Sequence, residues 1–514
     1  MRFYFRLLLL LPLLFVVGCA AGDDDDDNGQ DNQTDDDDDA SPADDDAGDD
    51  TPDDDTPDGE PLYAAAGTAV LTPTAANHPE TIYLGGIIPS RIGTGVHDDL
   101  TATALALKQG DRTLMLVSLD FLGFSRSRTR EIQERVTAEG LAKENILIAS
   151  THTHEGPDTL GVFGPNVFTS GVSPEYMAFV QDAIVALIDD TWEKLEPVTM
   201  TAATTTIDDP LSNYPTLMAD FREPQLTVGW LSAAQFIGLD GIPVATLVNW
   251  HAHPEVMIES TLVSADFPGY LRQRVRDRVG GECVYISGAL GGLATPTGVD
   301  VPARDENGDP VLDEDQQPVY LQEGTWDKAR SLGFVLADLA LGALETASPV
   351  ESPVLEVQVE QLLSPVKSLL FIMGFLIHLL EFDAQDVVKD QPDICGWFGC
   401  VDDRLGMVRL GPLALITSPG ETFPETLIGR EASDYDYGDP WGVFHFPAMT
   451  GILSSMNAEV PMLMSVCGNE VAYLIPESDY HPYGHPDHYE EDLCFGRQNE
   501  EIYRQAAIKL LESK

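Results

Sequence analysis

The sequence predicts an α/β domain of mixed β-sheets flanked by helices, with a metal site at the carboxyl ends of strands. Three observations carry that prediction. Short apolar runs of strand length alternate with longer amphipathic stretches of helical period. Three of the runs end in histidine or glutamate: Ile146–Ser150 leads into Thr151-His152-Thr153-His154-Glu155-Gly156-Pro157, Val244–Trp250 into His251 and His253-Pro254-Glu255, and Leu413–Thr417 into Ser418-Pro419-Gly420-Glu421. From Pro61 to Lys514 there is no second linker, repeat or long charge block, so 61–514 reads as one domain.

Taken in order, Thr113 to Asp120 is apolar enough for a buried strand, and Ser125 to Ala138 has helical period and is stopped by Gly140. Asn145 to Ser150 is the next strand. Ser173-Pro174 then opens a long helix to about Leu195, with Ser as cap and Pro at the first helical position. Further helices are expected at Pro268 to Val279, Thr325 to Thr346 and Asn499 to Glu512, and an apolar strand at Cys283 to Ile286. Ser368 to Leu380 is apolar on nearly every face and too short to span a bilayer. Its length favours an internal helix; the alternative is a greasy element beside a lipid-binding cleft or at a membrane interface.

The first 60 residues stand apart. Arg2 and Arg6 precede the apolar run Leu7 to Val17 and Gly18-Cys19, the layout of an export signal over residues 1–19. Val16-Val17-Gly18-Cys19 resembles a bacterial lipobox, which implies lipidation at Cys19 and a lipid anchor on the bacterial outer membrane or cell surface. Residues 20–60 hold 21 acidic residues and no Lys or Arg, the composition of a disordered tether. The chain as a whole carries a formal charge of −58, which disfavours nucleic acid and anionic surfaces as partners, since both would be repelled. In an oxidising compartment Cys395–Cys400 and Cys467–Cys494 are the expected disulfides, leaving Cys283 free.

His, His and Glu at three strand ends match what a catalytic Zn²⁺ takes, three N/O ligands with a position left for water. One histidine near a strand end is more often a satisfied structural residue; three such ends together reverse that reading. His251 competes with His253 as ligand, and Asp120, at a strand end, is a candidate to orient a ligating His. His481, His485, Asp487 and His488 offer a second metal group, although their Pro- and Gly-rich segment favours a solvated loop.

The motifs resemble the catalytic domain of the neutral ceramidases, zinc-dependent amidases that cleave the N-acyl bond of ceramide. The likeness runs through Gly95-Val96-His97-Asp98-Asp99-Leu100, Ser118-Leu119-Asp120, THTHEGP, Asn249-Trp250 with His253-Pro254, Pro419-Gly420-Glu421, and Tyr473 to Tyr480 followed by His488-Tyr489-Glu490. It implies His152, His253 and Glu421 as zinc ligands with Tyr473 approaching the metal. His154 would face a lipid substrate, and Tyr489 would stand near the reacting carbonyl. A metal-bound water would supply the hydroxide nucleophile, with phenols and imidazole stabilising the oxyanion and moving protons.

Three departures from the family pattern concern the substrate. Ser287-Gly-Ala-Leu-Gly-Gly-Leu-Ala-Thr295-Pro296 lacks the family's Asp and offers Thr295 or Ala294 where it has Ser. Asp208-Asp209-Pro210, with Tyr214 nearby, stands where the family has a substrate-contacting Arg. The family's C-terminal β-sandwich is absent from the expected layout. Two other readings therefore stand beside ceramide hydrolysis: the same scaffold acting on a different ester or amide, and a non-catalytic lipid-binding surface lipoprotein.

Overall fold

The computed structural model of the chain describes residues 59–513 apart from Glu259 and Leu293; the export signal, Cys19 and the acidic tether up to residue 58 lie outside the described residues. Residues 57–514 form one compact unit. Eight strands make the larger sheet: β1 (Tyr63–Val70), β2 (Thr101–Gln109), β3 (Arg112–Leu119), β4 (Ile146–Ser150), β5 (Glu196–Thr206), β6 (Trp230–Gly238), β7 (Pro243–Trp250) and β8 (Glu282–Ser287), in the order β8-β7-β6-β5-β1-β2-β3-β4. The pairs β3–β4 and β7–β8 are parallel and the others antiparallel. A second sheet has the order β9 (Leu355–Pro365), β10 (Cys400–Leu410), β11 (Leu413–Thr417), β12 (Val460–Met464), with Val387–Val388 added alongside β10.

The two sheets stack face to face. Leu105, Leu116, Leu147, Phe236, Leu247 and Ile286 of the first pack against Val408, Leu415, Met462 and Met464 of the second. Period-two alternation is the cause: in β3, Leu114 and Leu116 enter this layer, while Met115 and Val117 enter the layer beneath the helices. Buried Asn249 ties the sheets together, its amide donating to Ile286 O at 3.0 Å and Leu463 O at 2.8 Å. Helices α1 (Arg126–Arg135) and α2 (Pro174–Trp192) cover one half of the outer face, and α3 (Asp266–Val279) and α4 (Trp326–Thr346) the other. After the short α5 (Leu369–Leu376), α6 (Asn499–Glu512) closes the far side of the second sheet through Tyr503, Ala507 and Leu510. The result is an α/β class fold in helix–sheet–sheet–helix layers.

Caps act where the sequence places them. Ser125, Ser173 and Thr325 each accept the N–H three residues on, at the starts of α1, α2 and α4. Several expectations need correction. Ser368–Leu380 is not an internal helix: α5 stops at Leu376, and Leu369, Leu370, Met373 and Leu376 are exposed, while Ile372 and Gly374 are buried and Phe371 and Phe375 pack partly buried against the core. Cys395–Cys400 is bridged, but Cys467 and Cys494 are both free. Cys467 packs between the sheets beside Ala149, whereas Cys494 lies in a separate cluster with its sulfur 3.2 Å from the Tyr480 hydroxyl.

One buried acid gives the fold a pH dependence. Burial pushes Asp403 up to about 7, outweighing the hydrogen bonds from Ser364 and Asn469 and the charge of Arg126. The folded state therefore keeps a proton that the unfolded chain releases near pH 4, so stability falls as pH rises between those values. Asp403→Asn should flatten that slope, which amounts to at most about 4 kcal/mol across the window. Urea titrations at pH 4.5 and 8 check it; an unchanged slope in the variant would refute the assignment.

Candidate metal centre

The larger sheet curls until its two ends meet. Ser118 Oγ donates to Tyr285 O at 2.5 Å, and Ser287 Oγ donates to Thr151 O at 2.7 Å, so the ends of β4 and β8 lie side by side although they sit at opposite ends of the strand order. This closure brings the turn after β4 to the turn after β7. The turn after β11, from the second sheet, completes the group. His152 takes a left-handed backbone, φ 71°, where its N–H donates to Phe121 O at 2.9 Å. Such strain in a non-glycine residue persists only where its surroundings hold it in place.

His152, His154 and His253 are all buried, with ring centroids 5.0 to 5.7 Å apart, and one ligand atom from each falls within a shared 4.8 Å. Glu421 Oε2 lies 3.1 Å from His253 Nε2 and 3.5 Å from His152 Nε2. The Nδ1 atoms face backbone carbonyls, Leu122 O at 2.6 Å from His152 and Ala294 O at 3.1 Å from His253. A carbonyl only accepts, so each Nδ1 carries the proton and each Nε2 is the ligating atom of a metal-competent tautomer. Ligand atoms about 2.0–2.2 Å from a tetrahedral ion stand roughly 3.3–3.5 Å apart. The spacing, the donor types and the unsatisfied ring nitrogens of His154 thus fit a zinc-sized cation.

Burial pushes Glu421 up, but the imidazoles of His152 and His253 outweigh it and hold the carboxylate down at about 2. His154 is kept well below the usual histidine range by burial, by its two histidine neighbours and by Arg91. Glu421 pairs in parallel with Tyr473, and the Tyr473 and Tyr489 rings meet nearly perpendicular at 5.9 Å. Burial raises both phenols well above their ordinary range, reinforced by Glu421 and Glu490 at Tyr473 and by Glu490 at Tyr489. Both remain proton donors at neutral pH.

Thr295 is buried on the strand residue after Ala294, and its hydroxyl accepts the Thr297 N–H at 3.0 Å, so it caps its own turn. His251 stays outside the group: its Nδ1 accepts the Ala289 N–H at 3.1 Å. Asp120 does not orient a histidine. It makes a two-pronged ion pair with Arg272, at 2.9 and 2.6 Å, and carbonyls do the orienting instead. The segment with His481 and His485 is not a solvated loop, since both rings are buried among Tyr437, Trp441 and Phe444. These two rings stack 4.2 Å apart and 14° from parallel, and one ligand atom from each lies with an Asp487 oxygen within a shared 4.8 Å, a second group that could hold a cation.

Two acids escaped the sequence reading. Glu470 Oε2 lies 3.7 Å from His152 Nδ1, and Glu255 Oε2 lies 3.7 Å from His154 Nδ1, each buried and with one oxygen unpartnered. Burial and Glu421 raise Glu470 well above the carboxylate range. Position gave a signal only for Glu255, two residues after His253.

No protein-family model and no curated protein matches the sequence. Solved structures do. The chain is similar to neutral ceramidase from Pseudomonas aeruginosa, with a TM-score of 0.61 and 14% identity over 88% of this chain and 74% of that one. It is also similar to a ceramidase complexed with C2, with a TM-score of 0.60 and 16% identity over 88% and 75% of the two chains. At these identities the likeness concerns architecture, and the chain has a ceramidase-like fold.

Proposed function

We propose that the chain is a zinc-dependent hydrolase that cleaves the N-acyl amide bond of ceramide or a related N-acyl lipid. The observation that carries the reading is the convergence of His152 Nε2, His253 Nε2 and Glu421 Oε2 from three strand ends of a ceramidase-like fold. His152, His253 and Glu421 would hold the ion, with Tyr473 beside them. Zinc, when bound, supplies a Lewis acid for the carbonyl and lowers the pKa of a water toward neutrality.

The chain's own residues do the rest. Tyr473 and Tyr489, kept protonated by burial, donate hydrogen bonds to the oxygen on which charge develops. His154, kept neutral, accepts a proton and returns it to the leaving amine. Glu255 sits behind His154 and favours the proton on Nδ1, leaving Nε2 to act. The Thr295 hydroxyl accepts the Thr297 N–H, and the altered residues around it favour a substrate range differing from that of the solved ceramidases. Lipidation at Cys19 would anchor the enzyme to the bacterial membrane.

Turnover of a panel of fluorescent ceramides and other N-acyl amides, with and without chelator, tests the reading. Chelator-sensitive amide cleavage is the expected result; cleavage that survives complete removal of metal would overturn it. Gly86 gives a finer check. Its φ is 80°, and a Cβ there would come within 2.7 Å of the His154 ring. Gly86→Ala should keep bound zinc while turnover falls about 10²-fold, the cost of a roughly 1 Å misplacement of a reacting group. Loss of zinc together with activity would mean that His154 is a ligand instead.

A further inference from the structure

We propose that α5 and the disulfide-closed loop beside it form a docking surface for the headgroup–acyl boundary of a lipid bilayer. The element is apolar throughout, and Leu369, Leu370, Met373, Leu376 and Ile377 are each 46% exposed or more. Trp397, 77% exposed, stands at the tip of the loop closed by Cys395–Cys400. The two are continuous, since Trp397 neighbours Phe398, whose ring lies 5.5 Å from that of Phe375 in α5.

The surface rests on a packed base. Phe371 and Phe375 meet Phe495 at 4.8 and 6.0 Å, and Phe375 meets Phe382 at 4.9 Å, so the exposed side chains project from an aromatic layer. Lys367 and Lys389 are exposed at its edge, and Lys389 lies over the Phe398 ring. An apolar patch with a tryptophan at its border and lysines at its rim suits an interface whose outer layer carries phosphate oxygens and whose interior is hydrocarbon.

Charge selects the occupant. A second copy of a chain with a formal charge of −58 would be repelled, whereas a zwitterionic bilayer would not. Lipidation of the lipobox-like segment at Cys19 would bring the same molecule to a membrane. A chain of contacts links the segment after α5 to the candidate site. The Glu381 N–H donates to Leu160 O at 3.3 Å, the Leu160 and Glu470 side chains both close on Gly123, and Glu470 lies 3.7 Å from His152.

Flotation of residues 57–514, the compact unit without signal or tether, with phosphatidylcholine vesicles tests the proposal, and it requires neither metal nor turnover. The fragment should float with the vesicles, and brominated acyl chains should quench the part of its fluorescence that Trp397→Phe removes. Leu370→Glu with Met373→Glu should lower partitioning at least tenfold and leave the melting temperature unchanged, since both side chains already face water. Failure of the parent fragment to bind, binding undiminished in the double variant, or a vesicle-free dimer that the double variant dissolves would each overturn it.

Discussion

His152→Ala and Glu421→Ala are each expected to abolish stoichiometric zinc and to lower amidase turnover by about 10³-fold or more, the scale of loss when a Lewis acid and its activated water go together. Both side chains are buried within the group, and each removal deletes one of the three converging donors. Neither change opens a large apolar cavity. His152 additionally holds a left-handed backbone that alanine fills poorly, so Glu421→Ala is the cleaner of the two. Thr295→Ala is the matched control, expected to lose one turn hydrogen bond and to keep its zinc. Metal content by mass spectrometry on the three purified variants reads the result; an active, metal-free His152→Ala protein would remove the basis for the assignment.

Arg222→Met should destabilise the protein by about 3–5 kcal/mol, because it leaves a buried carboxylate without its counter-charge. Arg222 is 3% exposed and holds the C-terminal segment from four directions: the Glu490 carboxylate, Glu491 Oε1 at 2.7 Å, Asp479 O at 2.6 Å and Asp487 O at 3.1 Å. Burial raises Glu490 to about 7 even with the guanidinium beside it. Removing Arg222 pushes that acid further toward its neutral form and loosens Tyr489, its neighbour in the chain. Adding Glu490→Gln should recover part of the loss, since an amide needs no counter-charge. Urea unfolding of the single and double variants measures both; a loss below about 1 kcal/mol for Arg222→Met would show that the pair is dispensable.

How much of this was legible in the sequence depends on the range over which each feature is encoded. Helices α1, α2, α4 and α6 could be placed within a few residues because cap and period are local, as Ser173-Pro174 shows. The three ligand-bearing turns were legible because each strand carries its own His or Glu at its end. The convergence of the turns was not, since it depends on the sheet curling through Ser118 and Ser287 and on Asn249 clamping two sheets. Spacing alone pairs Cys467 with Cys494, yet they fall in different hydrophobic clusters, and no sequence interval records that. Its length made α5 read as internal; in the structure one side of the helix joins the aromatic layer through Phe371 and Phe375 and the other is left exposed. Asp120 pairing with Arg272, more than 150 residues on, and Glu470 beside His152 are long-range facts of the same kind.

The most direct test is an anomalous-difference map at the zinc absorption edge from crystals of the purified protein. The account predicts one peak within about 2.0–2.2 Å of His152 Nε2, His253 Nε2 and a Glu421 oxygen. No peak there from zinc-replete protein, or a peak only at His481 and His485, would contradict it.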